Sequence, residues 1–268
     1  MTSPLVSVVM SVYNEENYLK DTIGSISNQT EQDFEFIIVD DGSNDGTLDV
    51  LDSIKKTDRR IRVISNSKNA GIAKALNNGI KYASGKYIAL MDAGDISHPR
   101  RFEKQVDFLE KRKDISILGT QGQWIDLDHK VIGSWKLPLD VGDKEIYKTG
   151  GAIHPSIMVR RDLFDTIGLY KSDLEMSQEF EMYLRAIKNG FKIANLDDPP
   201  LISVMERKGG MTLTHLKTIQ KNQLIIKIKY LKYFLNFENI FYTIRSCIGY
   251  LIPNFMLKGI VKKNIRQK

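Results

Sequence analysis

Through the first 120 residues, short apolar runs alternate with stretches whose apolar positions recur at helical spacing. Val6–Val12 is a near-continuous apolar run, as expected of a parallel strand buried on both faces. Residues 18–27 carry Leu19, Ile23 and Ile26 on one helical face. Strands at 36–39, 61–64 and 87–91 and helices at Thr47–Ile54 and Ile72–Tyr82 repeat the alternation. A helix at 101–109 and a strand at Ile115–Gly119 continue it. Repeated β-α-β units of this length predict a layered α/β fold around a mainly parallel central sheet. Such sheets bind ligands in the loops that leave the carboxyl ends of their strands.

Beyond residue 120 the rhythm changes. Residues 121–135 read as a hairpin about the polar turn Asp126-Leu127-Asp128-His129-Lys130. The pattern predicts a helix over 140–148, a strand over 156–159 and a helix over 179–187, with Met182, Leu184 and Ile187 apolar. Pro199-Pro200 stops a strand at 193–196. There is no internal repeat.

Composition narrows the class. Of 268 residues, 42% are hydrophobic and 27% charged, which suits a globular chain with one sizeable core and a small appendage. The single cysteine, Cys247, excludes an internal disulfide framework and fits a reducing compartment. No signal-peptide pattern precedes the first strand, so the expected location is the cytoplasm.

The net charge of +6 is unevenly placed. From Glu206 onward there are 13 Lys and Arg against 2 Asp and Glu, whereas the first 205 residues hold 26 against 31. A basic tail implies an anionic partner, and both nucleic acid and phospholipid fit the charge. The apolar content of the tail favours lipid over nucleic acid. Lys217, Lys221, Lys227, Lys229 and Lys232 interleave with Leu, Ile, Tyr and Phe without a clean face. Over 240–252, Ile240, Phe241, Ile244, Ile248, Leu251 and Ile252 fall on one helical side. Tyr242, Thr243, Ser246 and Tyr250 fall on the other, and Pro253 ends the run. Glu238, Asn239 and Arg245 leave the segment short of the roughly 20 apolar residues that cross a bilayer. With Lys258, Lys262, Lys263, Arg266 and Lys268 behind it, it reads as a helix lying in a membrane interface. The alternative is packing on the rest of the chain or on a second subunit. The expected division is a main unit over 1–205 and a helical, basic tail over 206–268.

Three acidic groups stand at the ends of predicted elements. Asp40-Asp41-Gly42-Ser43 follows the second strand, Asp92-Ala93-Gly94-Asp95 the fourth, and Gln178-Glu179-Phe180-Glu181 opens a late helix. Carboxylates converging on one cleft hold a hard divalent cation or perform acid–base work. Each group alone is also ordinary turn or cap chemistry.

The motifs themselves resemble a known family. Val6-Ser7-Val8-Val9-Met10-Ser11-Val12-Tyr13-Asn14-Glu15-Glu16, Gln29-Thr30, Ile37-Ile38-Val39-Asp40-Asp41-Gly42-Ser43 and Asn69-Ala70-Gly71 are similar to motifs of the family 2 glycosyltransferases. Ala83-Ser84-Gly85-Lys86-Tyr87-Ile88-Ala89-Leu90-Met91-Asp92 and His154-Pro155-Ser156-Ile157-Met158-Val159-Arg160-Arg161 continue the likeness, in order, over about Leu5 to Met205. The resemblance implies a GT-A fold and inverting transfer from a nucleotide-diphosphate sugar, here a UDP-sugar carrying a hexosyl or N-acetylhexosaminyl group. It implies that Tyr13 and Glu15 line the nucleobase and ribose pocket and that Asp40 accepts from the imide N–H of uracil. It further implies that Asp92 and Asp95 hold Mn²⁺ or Mg²⁺ against the diphosphate, with Asp92 and His154 beside the donor, and that Glu179 is the general base.

Two positions depart from the family pattern. Gly94 stands where a carboxylate is usual, and the base position holds Glu179 in place of aspartate. Both also fit a catalytically weak or inactive nucleotide-sugar-binding scaffold. With a membrane-lying tail, the expected role is extension of a lipid-linked glycan in surface polysaccharide assembly, at the cytoplasmic face of the cell membrane.

Overall fold

The computed structural model describes residues 3–207 and 214–253, so Lys258, Lys262, Lys263, Arg266 and Lys268 lie outside the described residues. The amino-terminal half folds as its periodicity predicts. β1 (Val6–Val12), α1 (Leu19–Ser27), β2 (Phe34–Asp40), α2 (Thr47–Ile54), β3 (Ile61–Ser65), α3 (Ile72–Tyr82) and β4 (Tyr87–Asp92) follow in order. After β5 (Ile96–Ser97) come α4 (Arg101–Lys111) and β6 (Ile115–Gly119). The hairpin is β7 (Gly122–Ile125) and β8 (Val131–Trp135), closed by Asp126, whose N–H donates to the Lys130 carbonyl at 3.0 Å.

The second half is β9 (Asp140–Val141), α5 (Asp143–Thr149), a 3₁₀ turn (His154–Ser156), β10 (Met158–Arg160), α6 (Arg161–Ile167), α7 (Gln178–Lys188), β11 (Lys192–Asn195) and β12 (Ile202–Met205). α8 (Leu216–Leu231) and α9 (Phe237–Leu251) complete the described chain. The helix expected at 140–148 starts three residues late. Gly142 is extended and its N–H donates to the Glu145 carboxylate at 3.0 Å, a cap that fixes the first turn after it. Residues Asp140–Val141 instead pair with β11. The strand expected at 156–159 is displaced to Met158–Arg160 by the 3₁₀ turn before it.

The central sheet has eight strands in the order β3-β2-β1-β4-β10-β6-β11-β9. β1 to β4 are mutually parallel, whereas β10 runs antiparallel to both β4 and β6, and β9 antiparallel to β11. The inward positions alternate along each strand as the pleat requires. Val8, Met10, Phe36, Ile38, Ala89 and Met91 face one core with Leu19, Ile23, Leu51 and Phe102. Val9, Ile37, Val39, Ile88 and Leu90 face the other with Leu76, Ile80, Met182 and Tyr183. Burial of both sheet faces is what makes these strands read as continuous apolar runs.

A second sheet, β5-β12-β7-β8, stands beside the first. Its short strands β5 and β12 carry too few residues to show a period. Their pairing brings Arg207 back to the end of β4, where it reaches the Ala93 carbonyl.

The tail helices pack on α5 and α7. Tyr230 donates to Glu181 at 2.7 Å and the Tyr147 hydroxyl to the Lys227 carbonyl at 2.9 Å. α9 turns its polar side inward: Asn239 and Thr243 are buried, Asn239 donates to Asp143, and Lys227 donates to Ser246 at 2.8 Å. Its apolar positions Phe237, Phe241, Ile244, Ile248 and Leu251 are exposed, Phe237 at 83% and Leu251 at 79%. No helix among the described residues is long and apolar enough to cross a membrane.

Candidate active site

The register of β1 sets the site. Val12 lies opposite Asp40 on β2, and Ser11 opposite Asp92 on β4, so the two carboxylates flank the carboxyl end of β1. With neighbouring strands about 4.8 Å apart, their backbones stand roughly 10 Å from each other. That is the switch point from which an α/β sheet binds its ligand.

On the β2 side the loops are stapled together. Asp40 is buried and accepts from the Ser43 N–H at 3.3 Å. Asp41 accepts from Asn66 at 2.8 Å, from the Ala70 N–H at 3.0 Å and from the Gly71 N–H at 2.8 Å, which ties the Asn69-Ala70-Gly71 loop down. Gly42 has φ +75°, and a Cβ there would lie 2.6 Å from the Lys68 carbonyl carbon, so this turn requires glycine. The Glu15 N–H donates to Thr47 at 2.8 Å and the Gly46 N–H to Glu16 at 2.7 Å. Tyr13, which follows β1 directly, is 43% exposed.

On the β4 side the carboxylates meet a cation from far along the chain, Arg207, that no local pattern marks. Arg207 donates from Nη1 to Glu15 at 2.5 Å and from Nη2 to the Ala93 carbonyl at 2.7 Å, and its guanidinium lies 4.4 Å from the Tyr18 ring centroid. Glu15, expected to line the nucleobase and ribose pocket, also accepts from Arg207. Burial pushes Asp92 up to about 6, against the pull of Arg207 and with a further push from Glu15. Asp95 is buried, accepts from the Met205 N–H at 3.1 Å, and is raised well above the usual carboxylate range by burial and then by Asp92.

Gln29, whose motif carried no assigned role, locks α1 to this corner. It donates to Ser97 at 3.1 Å and to the His98 carbonyl at 2.8 Å, and accepts from the Phe102 N–H at 3.1 Å. Arg101 is fully buried behind β4, donating to the Pro155 carbonyl at 2.9 Å and the Leu90 carbonyl at 3.0 Å. It fastens the His154 turn to the sheet.

The third side is α7. Glu179 stands in its first turn, and burial pushes it up to about 7, with Asp92 adding to the rise. Glu181 and Arg185 form a buried pair at 3.0 Å that anchors the helix, Arg185 also donating to the Gly168 and Leu169 carbonyls at 2.8 Å. His154 is held neutral by burial, at about 4, and its Nε2 lies 3.0 Å from the Tyr170 hydroxyl. Tyr170 interacts electrostatically with Glu179 and Asp92, as does Tyr183, one turn along α7 from Glu179. Asp92 thus acts electrostatically on both Asp95 and Glu179, and His154 joins them only through Tyr170. Tyr183 at helical spacing from Glu179 is legible in the sequence in hindsight; Arg207 has no local signal.

The sequence profile of glycosyl transferase family 2 matches residues 7–168. The chain belongs to that family. An uncharacterized glycosyltransferase of Methanocaldococcus jannaschii is 38% identical over 204 residues, 74% of this chain and 70% of that protein. TuaG of Bacillus subtilis, a candidate teichuronic acid biosynthesis glycosyltransferase, is 33% identical over 188 residues, 63% of this chain and 73% of its own. The crystal structure of S. aureus TarS 1-349 in complex with UDP-GlcNAc has a TM-score of 0.69 at 20% identity, covering 86% of this chain and 66% of that one. The likeness shows the GT-A fold in this glycosyltransferase.

A divalent ion in this family 2 site is not supported by the donor set. Asp95 gives one oxygen to the Met205 N–H, Gly94 offers none, and a guanidinium occupies the flank of Asp92. Among the described residues no three His, Cys, Asp or Glu side chains form a group that could hold a metal ion.

Proposed function

We propose that this glycosyltransferase moves a hexosyl or N-acetylhexosaminyl group from a UDP-sugar, with inversion, onto a lipid-linked glycan acceptor in surface polysaccharide assembly. The observation that carries the reading is the place of Glu179 in the first turn of α7, near enough to Asp92 for their charges to act on each other, where burial pushes it up to about 7. A general base works best when its pKa lies near the working pH. The acceptor hydroxyl gives its proton to the Glu179 carboxylate as its oxygen attacks the anomeric carbon, and the bond to the UDP oxygen breaks on the opposite face. Ser177 Oγ, Gln178 Oε1 and the Tyr183 hydroxyl are buried beside Glu179 without hydrogen-bond partners, which supports an acceptor binding there. Tyr13 and Asp40 take the uracil in this reading. The UDP-GlcNAc bound to TarS supports the donor class, and the description of TuaG supports a surface polymer as product.

The membrane side of the proposal rests on α9. An amphipathic helix that packs by its polar face and exposes its apolar one needs another cover. Full burial of one such side chain is worth about 1.5–3 kcal/mol, and each basic residue near anionic lipid contributes about 1 kcal/mol. Lys229 on α8, Lys232 at its C-cap and Arg245 on α9 are exposed. Docking at the inner face of the cell membrane would hold the cleft beside a lipid-borne acceptor.

The test is UDP release from a panel of UDP-hexoses and UDP-N-acetylhexosamines with wild type and Glu179→Ala. Wild type is expected to turn over one of them. The variant is expected to bind UDP normally and transfer nothing; equal transfer by the variant removes Glu179 from its role.

A further inference from the structure

The missing carboxylate at position 94 and the guanidinium of Arg207 are one feature. Gly94 has φ +91°, and a Cβ there would lie 3.1 Å from the Arg207 Cζ and Nη2 and 3.3 Å from its Nε. An aspartate at 94 would be strained by its backbone and would press into the arginine. Where the family pattern supplies a negative group for a cation to sit on, this chain has removed it and delivered a cation of its own.

That delivery is built. β12 pairs with β5 on one side and β7 on the other, and its last residue, Met205, donates its N–H to Asp95 at 3.1 Å. Two residues on, Arg207 is clamped between the Glu15 carboxylate, the Ala93 carbonyl and the face of Tyr18. These contacts engage two of the five N–H donors of a guanidinium. Three donors remain that can hydrogen-bond the oxygens of a phosphate. Asp92 stands alongside, so a dication entering here would share its carboxylate with a fixed positive charge.

We propose that Arg207 takes the place of the divalent ion in this protein, neutralising the diphosphate of the nucleotide so that UDP binds, and leaves, without metal. The inference rests on the UDP-sugar reading above. Leaving-group charge is otherwise met by a metal acting as Lewis acid. A preorganised guanidinium can meet the same charge through hydrogen bonds.

The experiment is UDP binding by calorimetry to the full chain, in EDTA and in Mn²⁺, for wild type, Arg207→Met and the double variant Gly94→Asp/Arg207→Met. Wild type is expected to bind UDP within about twofold in the two buffers. Arg207→Met is expected to bind at least tenfold more weakly in EDTA, with its thermal midpoint checking that it folds. The double variant is expected to recover binding only in Mn²⁺. Wild-type binding that strengthens tenfold or more with Mn²⁺, or Arg207→Met binding in EDTA as well as wild type, overturns the inference and leaves the donor reading intact. UDP that binds wild type in neither buffer overturns the donor reading and this inference together.

Discussion

The Tyr170 hydroxyl lies 3.0 Å from Nε2 of His154, with the two rings edge to face at 87°. The tyrosine is itself pinned by Asn77, which donates to its carbonyl at 2.8 Å and accepts from its N–H at 2.9 Å. The imidazole, held neutral by burial, is therefore oriented by a tyrosine that the distant Asn77 fixes in turn. Tyr170→Phe keeps the ring and deletes the hydrogen bond, worth about 0.5–1.5 kcal/mol net. The expected result is a loss of kcat of between about twofold and tenfold, with UDP affinity nearly unchanged and the thermal midpoint lowered by a few degrees.

The pH profile should report Glu179. Its carboxylate must be ionised to take a proton, so transfer is expected to rise with pH through a midpoint near 7. Asp92, near 6, titrates below that limb, and His154, near 4, lower still. Stability moves the other way. A carboxyl raised in the folded state binds its proton more tightly there than when unfolded, and its stabilising contribution is lost as pH climbs from about 4.5 through 7. Glu179→Gln is therefore expected to raise the thermal midpoint relative to wild type at pH 8 more than at pH 5. Midpoints measured at both values check the sign.

Arg101 carries stability for the site. Truncation to Ala would leave the Pro155 and Leu90 carbonyls without their donor and open a cavity under β4. Arg101→Ala is expected to cost about 3–5 kcal/mol in urea unfolding. A cost under about 1 kcal/mol would show that the buried guanidinium does not hold the His154 turn.

The exposed stripe of α9 should govern membrane docking without touching the fold. Phe241→Asp/Ile248→Asp is expected to reduce co-sedimentation with anionic vesicles by at least tenfold. Its stability should stay within about 0.5 kcal/mol of wild type, as for other surface substitutions. Undiminished vesicle binding would remove α9 from that role.

Sequence alone determined the amino-terminal layers and the places where chemistry could sit. Strands buried on both faces show as unbroken apolar runs, helices show their own period, and Asp40 and Asp92 mark strand ends because turn residues follow them. All of that is local. The antiparallel insertion of β10 next to β4 was not legible, since three residues carry no sense of direction. Nor was Arg207, which meets the Ala93 carbonyl across 114 residues of chain through a pairing of two very short strands. The periodicity of α9 was correct, yet which of its faces turns inward depended on Asp143 and Lys227 waiting with polar partners. Period reports that a helix has two faces. Only the surfaces it packs against decide which one is buried.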